Sequence, residues 1–303
     1  MTSHLNIVIR AVLCAVLSVC TLAASADDVI RLWEGTGVKA RSVTLAPYRP
    51  AVNTSHMAII VCPGGSYCWH DYKTEGVEVA SWLRDNGITA FVLKYRVQGK
   101  FQYGSYWRYL FGGNQHPDMI SDMQRAIQYV RENAARYGID KVGVMGFSAG
   151  GHLAMSAAEL ASTDFLAFQG ISHSVSLRPD FVAPIYPVVT FMGEETHRRS
   201  RRALLGEKGK NNIALRDSLS LERHVPSDCP PVFIVNCKDD PVVDYRNSML
   251  LDSALTARGI DHKYIQYSSG KHGFGASRTK GSAECRQWKA EFIQWLRNHG
   301  LLK

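Results

Sequence analysis

The sequence is poor in cysteine and has no C-x-x-C pair, which leaves little support for a zinc site or a thioredoxin-like redox centre. Seven cysteines occur in 303 residues, and Cys14 and Cys20 lie in an N-terminal segment that we expect to be removed. The remaining five are Cys62, Cys68, Cys229, Cys237 and Cys285. Because five is odd, at least one should stay unpaired, and the spacing leaves the disulfide connectivity open. Cys62 and Cys237 are interpreted as small buried strand residues, and no metal or cofactor is predicted.

The N-terminal apolar run is too short to span a bilayer comfortably, so no membrane span is predicted. Arg10 precedes this run, and Ala24-Ser25-Ala26 follows it. This layout is typical of a secretory signal cleaved near Ala26, which predicts a signal peptide over 1–26 and a periplasmic or secreted protein. The alternative is a lipoprotein that uses Cys20, but Val19 is bulkier than the small residue usually found before a lipidated cysteine.

Acidic residues are fewer than basic ones, and the net charge of +8 falls to +7 when Arg10 leaves with the signal. This mild excess either helps to attract acidic glycans or only keeps the protein soluble. No nucleic-acid partner is predicted, and the sequence leaves the oligomeric state open. The length and the 46% apolar content favour one large domain over 27–303.

The most informative stretch is a Gly-x-Ser-x-Gly turn between a short apolar strand, Val142 to Met145, and an Ala-rich helix. It predicts a nucleophile elbow that exposes Ser148 at the end of a strand. Gly146 and Gly150 flank the serine, because a turn this tight leaves no space for a Cβ at those positions. The N–H groups at the start of the following helix favour the negative charge that develops in acyl transfer.

A second glycine turn follows the apolar run Met57 to Val61, which is typical of a buried parallel strand. The turn reads Cys62-Pro63-Gly64-Gly65-Ser66-Tyr67. Backbone N–H groups of such a loop can converge on one point, and an oxyanion hole needs one of them beside the N–H that follows the nucleophile. Gly65 or Ser66 is therefore expected to pair with Ala149.

Two more apolar runs lead into an acid and a histidine. The run Val232 to Asn236 precedes Asp239 and Asp240, and the run Lys263 to Tyr267 precedes His272. In a parallel sheet both groups reach the edge where Ser148 lies. A serine needs an imidazole as base, and the imidazole needs a carboxylate to fix its tautomer. We expect His272 to be that base and the other histidines to be surface or packing residues.

Two segments carry weaker signals. Aromatic residues are dense between Phe101 and Phe111, which favours either stacking on sugar or aryl groups or packing of the loop onto the protein. We predict substrate contacts for Tyr67, Tyr103, Tyr106 and Trp107. The span 190–225 has no strong strand pattern and is predicted to be a lid-like insertion, whose basic run from His197 to Arg202 is more typical of a solvated helix face than of a substrate site.

Together these motifs resemble the α/β-hydrolase superfamily, and within it the exported esterases related to acetylxylan and feruloyl esterases. The resemblance covers nearly all of the chain after the signal and is carried by these stretches: Pro63-Gly64-Gly65-Ser66-Tyr67, Tyr95-Arg96, His116-Pro117 with Asp122, the elbow 146–152, Asp240-Pro241-Val242-Val243 and His272-Gly273-Phe274. It implies that Asp240 rather than Asp239 is the acid and that Asp122 lies near Arg96. Relatives usually carry a third glycine where this chain has Ser66. A serine at this position keeps the backbone N–H donor.

The fold predicted is an α/β-hydrolase fold, a doubly wound and mostly parallel sheet flanked by helices, with a short lid insertion. The predicted function is a serine esterase that deacylates plant polysaccharide through an acyl-enzyme on Ser148, with an acylated glycan or small ester as substrate. The alternatives are a feruloyl or other carboxylesterase, a prolyl-oligopeptidase-like peptidase, and a glycan-binding protein with a disused site. The absence of a propeller-length N-terminal region argues against the peptidase, and an intact set of catalytic groups argues against the binding protein.

Overall fold

The computed structural model describes residues 29–99 and 113–302, which form a layered α/β domain around one eight-stranded sheet. The strands are β1 Ile30–Arg31, β2 Thr44–Tyr48, β3 Met57–Cys62, β4 Thr89–Lys94, β5 Lys141–Phe147, β6 Phe181–Ile185, β7 Val232–Cys237 and β8 His262–Tyr267. Their order across the sheet is β1-β2-β4-β3-β5-β6-β7-β8. β1 and β2 pair antiparallel at one edge, whereas β3 to β8 run parallel. The predicted signal peptide, 1–26, lies outside the described residues.

Helices connect the parallel strands and cover both faces of the sheet. They are α1 Glu78–Asp85, α2 Asp118–Glu132, α3 Ala134–Tyr137, α4 Ala149–Glu159, α5 Arg198–Gly209, α6 Ile213–Ser218, α7 Arg246–Ala257 and α8 Trp288–Asn298. A π-helical turn, Lys73–Val77, leads into α1. Of the described residues, none belongs to a helix that is both long enough and apolar enough to cross a membrane.

Two buried clusters lie on opposite faces of the sheet because alternate strand residues point to opposite sides. Ala58 and Ile60 of β3 join one cluster with apolar residues of α2, α4 and α7. Ile59 and Val61 of the same strand join the other cluster, with residues of α1 and α8. All six residues of β3 are buried, as the continuous apolar run predicts for a central parallel strand.

The chain between β6 and β7 is helical where the sequence predicts an insertion. The span 190–225, which the structure describes throughout, holds α5, α6 and a 3₁₀ turn at Leu221–Arg223, and it contains no strand. Gly206 interrupts α5 with a φ of 73°. Leu204, Leu205 and Leu219 are buried, so the insertion packs onto the domain through an apolar face.

Arg96 and Asp122 form a buried ion pair that fixes the start of α2 against the end of β4. Arg96 Nε donates to Asp122 Oδ1 at 3.0 Å and Oδ2 at 3.1 Å, and Trp33 Nε1 donates to the same carboxylate at 2.7 Å. Burial raises the pKa of Asp122 to about 6, while these donors oppose the shift. The contact agrees with the proximity of Arg96 and Asp122 that the resemblance implies.

Candidate active site

Ser148 lies between β5 and α4 with a strained backbone, φ 55° and ψ −119°. A Cβ at Gly146 would lie 1.9 Å from the carbonyl oxygen of Gly150. A Cβ at Gly150 would lie 2.1 Å from the carbonyl oxygen of Cys62. Both distances are impossible for real atoms, so the two glycines allow the turn that projects Ser148 from the sheet edge.

His272 and Asp240 reach Ser148 from the loops that follow β8 and β7. His272 Nε2 lies 2.9 Å from Ser148 Oγ, and His272 Nδ1 lies 2.6 Å from Asp240 Oδ2. The Asp240 side chain is 1% exposed and that of His272 is 13% exposed. Burial of this kind strengthens electrostatic interactions, because little water screens them.

The surrounding backbone distinguishes the two neighbouring aspartates. Asp240 Oδ1 accepts hydrogen bonds from Val242 N at 2.8 Å and Val243 N at 3.0 Å, which leaves Oδ2 for the imidazole. Asp239 is exposed, and its Oδ1 accepts from Lys271 N at 2.8 Å. The carboxylate that bonds His272 is therefore that of Asp240, the residue that the resemblance indicates.

The oxyanion loop, which we define as residues 63–67, lies directly against the elbow. A Cβ at Gly64 would lie 2.8 Å from Ser148 Cβ. The N–H of Gly64 already donates to Glu75 Oε2 at 2.7 Å, so Gly65 and Ser66 remain the candidate donors of this loop. Ala149 is the first residue of α4, where an N–H has no partner within the helix.

Tyr67 is buried in the core, and the prediction of a substrate contact for it needs correction. Its side chain is 1% exposed, and its hydroxyl lies 2.8 Å from Nδ1 of His152 in the core. Ser66 and Tyr67 both have positive φ values, 58° and 60°, and the chain turns inward there. The other predicted contacts, Tyr103, Tyr106 and Trp107, lie outside the described residues.

Two other histidines near the site are neutral. Burial lowers the pKa of His152 to about 4, and its Nε2 lies 2.9 Å from the carbonyl oxygen of Leu219. Burial also lowers the pKa of His197 to about 4, and the charge of His272 adds to this effect. Because His197 directly precedes α5, the start of this helix within the span 190–225 lies near His272.

Glu75 and Tyr186 are residues of the site that motif analysis missed. Glu75 is 3% exposed and contacts the oxyanion loop through Gly64. The ring of Tyr186, which follows β6, lies 4.7 Å from the His272 ring between centroids. Neither residue belongs to a recognisable motif. The only local signal for Tyr186 is its position after a strand at the edge that carries Ser148.

The geometry suits nucleophilic chemistry with proton transfer. A serine hydroxyl at 2.9 Å from an imidazole nitrogen can lose its proton as it attacks a carbonyl carbon. Among residues 29–99 and 113–302, no cluster of three or more His, Cys, Asp or Glu side chains could hold a metal ion. The five cysteines in these ranges are free thiols.

Comparison with known proteins agrees with this architecture. The profile of the family described as BD-FAE matches residues 45–255. Endo-1,4-beta-xylanase B of Butyrivibrio fibrisolvens is 34% identical over 217 residues, which are 71% of this chain and 32% of that protein. Acetylxylan esterase of Xylanibacter ruminicola is 30% identical over 241 residues, which are 78% of this chain and 44% of that protein. The chain thus spans less than half the length of these two relatives.

A solved structure extends the similarity over the whole domain. The crystal structure of an acetyl ester-xyloside bifunctional hydrolase from Caldicellulosiruptor lactoaceticus has a TM-score of 0.77 and 31% identity. The match covers 91% of this chain and 97% of that chain.

Proposed function

The chain belongs to the BD-FAE family of α/β hydrolases, and from this premise we propose that it is a serine esterase that deacylates plant polysaccharide or oligosaccharide. The observation that carries the proposal is the hydrogen-bonded series Ser148, His272 and Asp240, with distances of 2.9 Å and 2.6 Å. Two relatives whose names specify xylan chemistry, an acetylxylan esterase and a xylanase, support the choice of substrate class.

The reaction proceeds in two acyl transfers. Ser148 Oγ attacks the ester carbonyl while His272 Nε2 takes the serine proton, and Asp240 keeps Nδ1 protonated and stabilises the imidazolium. The N–H groups of Ala149 and of Gly65 or Ser66 bind the oxyanion. His272 then gives the proton to the departing sugar oxygen, which leaves an acyl-Ser148 ester. Water, deprotonated by the same imidazole, attacks this ester. His272 then returns the proton to Ser148 Oγ as the bond between the acyl group and Oγ breaks and the carboxylic acid leaves.

Recognition of the glycan is assigned to the aromatic segment and to the insertion. Tyr103, Tyr106 and Trp107 are proposed to stack on a sugar or aryl group. Residues 190–225 are proposed to form a lid, which is supported by the guanidinium of Arg199 in α5, 5.6 Å from the ring centroid of Trp69 in the turn that follows the oxyanion loop. Trp107→Ala should lower kcat/KM on an acetylated xylo-oligosaccharide by about 10-fold, with a far smaller effect on 4-nitrophenyl acetate. Equal losses on both esters would exclude a stacking role.

Export is the proposed route to such a substrate. The support is the layout of Arg10, the apolar run and Ala24-Ser25-Ala26 in the sequence. N-terminal sequencing of protein secreted by an expressing cell should begin at Asp27. An intact N-terminus, or a lipid attached to Cys20, would contradict cleavage near Ala26.

The function is tested by initial rates on acetyl, butyryl and feruloyl esters of the same sugar, on a methyl ester and on a peptide anilide. We expect the highest kcat/KM on the acetylated xylo-oligosaccharide and a loss of about 10⁴-fold or more in kcat for Ser148→Ala. Activity on the anilide alone would contradict the esterase assignment. A preference for feruloyl esters would keep the mechanism and change the acyl group.

A further inference from the structure

Glu75 is a buried carboxylate with no part in the mechanism given above, and it joins two loops of the active site. Its Oε2 accepts from Gly64 N of the oxyanion loop at 2.7 Å, and its Oε1 accepts from Tyr186 Oη at 2.9 Å. The Tyr186 hydroxyl in turn accepts from Gly275 N at 2.9 Å, in the loop that carries His272. One side chain thus connects, directly or through Tyr186, the loops that follow β3, β6 and β8.

The hydrogen bonds suit an ionised Glu75 carboxylate. Both of its oxygens accept, one from a backbone N–H and one from a phenol O–H, so neither oxygen is placed as a donor. Burial raises the pKa of Glu75, whereas the charge of His272 and the two hydrogen bonds oppose that shift. The pKa of Tyr186 is raised well above its ordinary value by burial and by the Glu75 charge, so the phenol keeps the proton that it donates.

Glu75 is also close to the reacting groups. A Cβ on Gly64 would lie 2.6 Å from Glu75 Oε2 and 2.8 Å from Ser148 Cβ, so Gly64 lies between the carboxylate and the nucleophile. A Cβ on Gly273, the residue after His272, would lie 4.0 Å from Glu75 Oε1. Glu75 and His272 interact electrostatically, and a carboxylate charge near an imidazole favours the imidazolium form.

We propose that Glu75 is a positioning residue of the esterase site, which holds the oxyanion loop against Ser148 and stabilises the imidazolium of His272 through its charge. The inference rests on the proposed function. It assigns to His272 two carboxylates with separate tasks. Asp240 bonds the ring and fixes its tautomer, whereas Glu75 acts through space and through Tyr186.

Other charged and titratable groups surround Glu75 and His272. Those that face Glu75 or His272 are Asp71 from the turn before α1, Tyr95 after β4, Tyr186 after β6, His197 before α5 and Asp240 after β7. Tyr95 and His197 are neutral, because burial raises the pKa of the first and lowers the pKa of the second to about 4. Asp71 forms an exposed ion pair with Lys280 at 3.8 Å.

The test is the pH dependence of kcat/KM for acetate release from a small acetyl ester by Glu75→Gln. The amide keeps the shape of the side chain and an acceptor for Gly64 N, but it removes the charge. Since protonation of His272 should then be less favourable, the midpoint of the acidic limb should move to lower pH by about 0.5 to 1.5 units. The matched control is Glu78→Gln in α1, which should leave both the limb and the rate unchanged.

Tyr186→Phe separates positioning from charge. It removes the hydroxyl that links Glu75 to Gly275 but keeps the carboxylate, so kcat should fall about 10-fold while the acidic limb stays within about 0.3 units of wild type. If Glu75→Gln does not fold, this variant decides the proposal, and an unchanged kcat overturns it. A folded Glu75→Gln enzyme with the wild-type limb overturns it as well.

Failure of the inference differs visibly from failure of the proposed function. Ser148→Ala is measured in the same assay. Retained activity in Ser148→Ala would contradict the proposed function, because Ser148 would then not be the nucleophile. If Ser148→Ala loses activity and the acidic limb of the pH profile does not move in Glu75→Gln, only the role proposed for Glu75 is contradicted.

Discussion

Replacing Asp240 by asparagine tests the role proposed for it as the acid of the site. Asparagine can keep the bonds to Val242 N and Val243 N through its oxygen, since Asp240 Oδ1 accepts from both. Its amide nitrogen then faces His272 Nδ1 at the position where Asp240 Oδ2 accepts at 2.6 Å. The imidazole must then adopt the tautomer that carries its proton on Nε2, and Nε2 can no longer accept the proton of Ser148.

The expected loss in kcat is about 10⁴-fold, which corresponds to about 5.4 kcal/mol in the activation barrier. Asp239→Asn is the matched control. The asparagine keeps an oxygen that accepts from Lys271 N, and the side chain at this position is exposed. The kcat of Asp239→Asn should therefore change by less than about 10-fold. Initial rates on 4-nitrophenyl acetate, with melting temperatures to confirm folding, decide the matter. Equal losses for the two variants, or a larger loss at Asp239, would refute the assignment of Asp240.

Three further predictions follow from the same structure. Ser148→Ala and His272→Ala should each lower kcat by about 10⁴-fold or more, and the double variant should be little worse, because the residues act as a unit; multiplicative losses would contradict this. Gly150→Ala should give insoluble or inactive protein, since its Cβ would lie 2.1 Å from a carbonyl oxygen, and a folded, fully active variant would contradict the elbow geometry. Glu159→Gln should raise Tm increasingly as the pH rises above about 4.5. Burial raises the pKa of Glu159, so the folded state keeps a proton that the unfolded chain releases above its ordinary pKa, and stability is lost there. Thermal melts should show a gain of about 2 °C or more at pH 8 and almost none at pH 4, and a gain independent of pH would exclude this cause.

The sequence predicts the central strands because each is a short apolar run with a turn at its end. Met57 to Val61 and Val232 to Asn236 each fall one residue short of the observed strands, Met57–Cys62 and Val232–Cys237. The edge is less regular, since β1 is only two residues long, Ile30–Arg31. An edge strand pairs on one side only, and fewer contacts define its length.

The grouping of Ser148, Asp240 and His272 is also predictable from the sequence, because the elbow imposes glycines and the strand ends bring the acid and the histidine to the same edge of the sheet. The orientation of Tyr67 was not accessible. Ser66 and Tyr67 both have positive φ, which turns the Tyr67 ring inward, and no local sequence pattern predicts such a turn. Glu75 was missed because a charged residue in a polar turn before a helix is normally solvated. Only the tertiary fold, which places Gly64 and Tyr186 over it, reveals the burial.

The most direct test of the central claim is the site at which an alkyl fluorophosphonate reacts with the protein, located by peptide mass spectrometry while acetate release is followed. The proposed mechanism predicts one adduct on Ser148, loss of activity in proportion to its formation, and a much slower reaction in His272→Ala. An adduct on a different serine, or esterase activity that survives complete modification of Ser148, would contradict it.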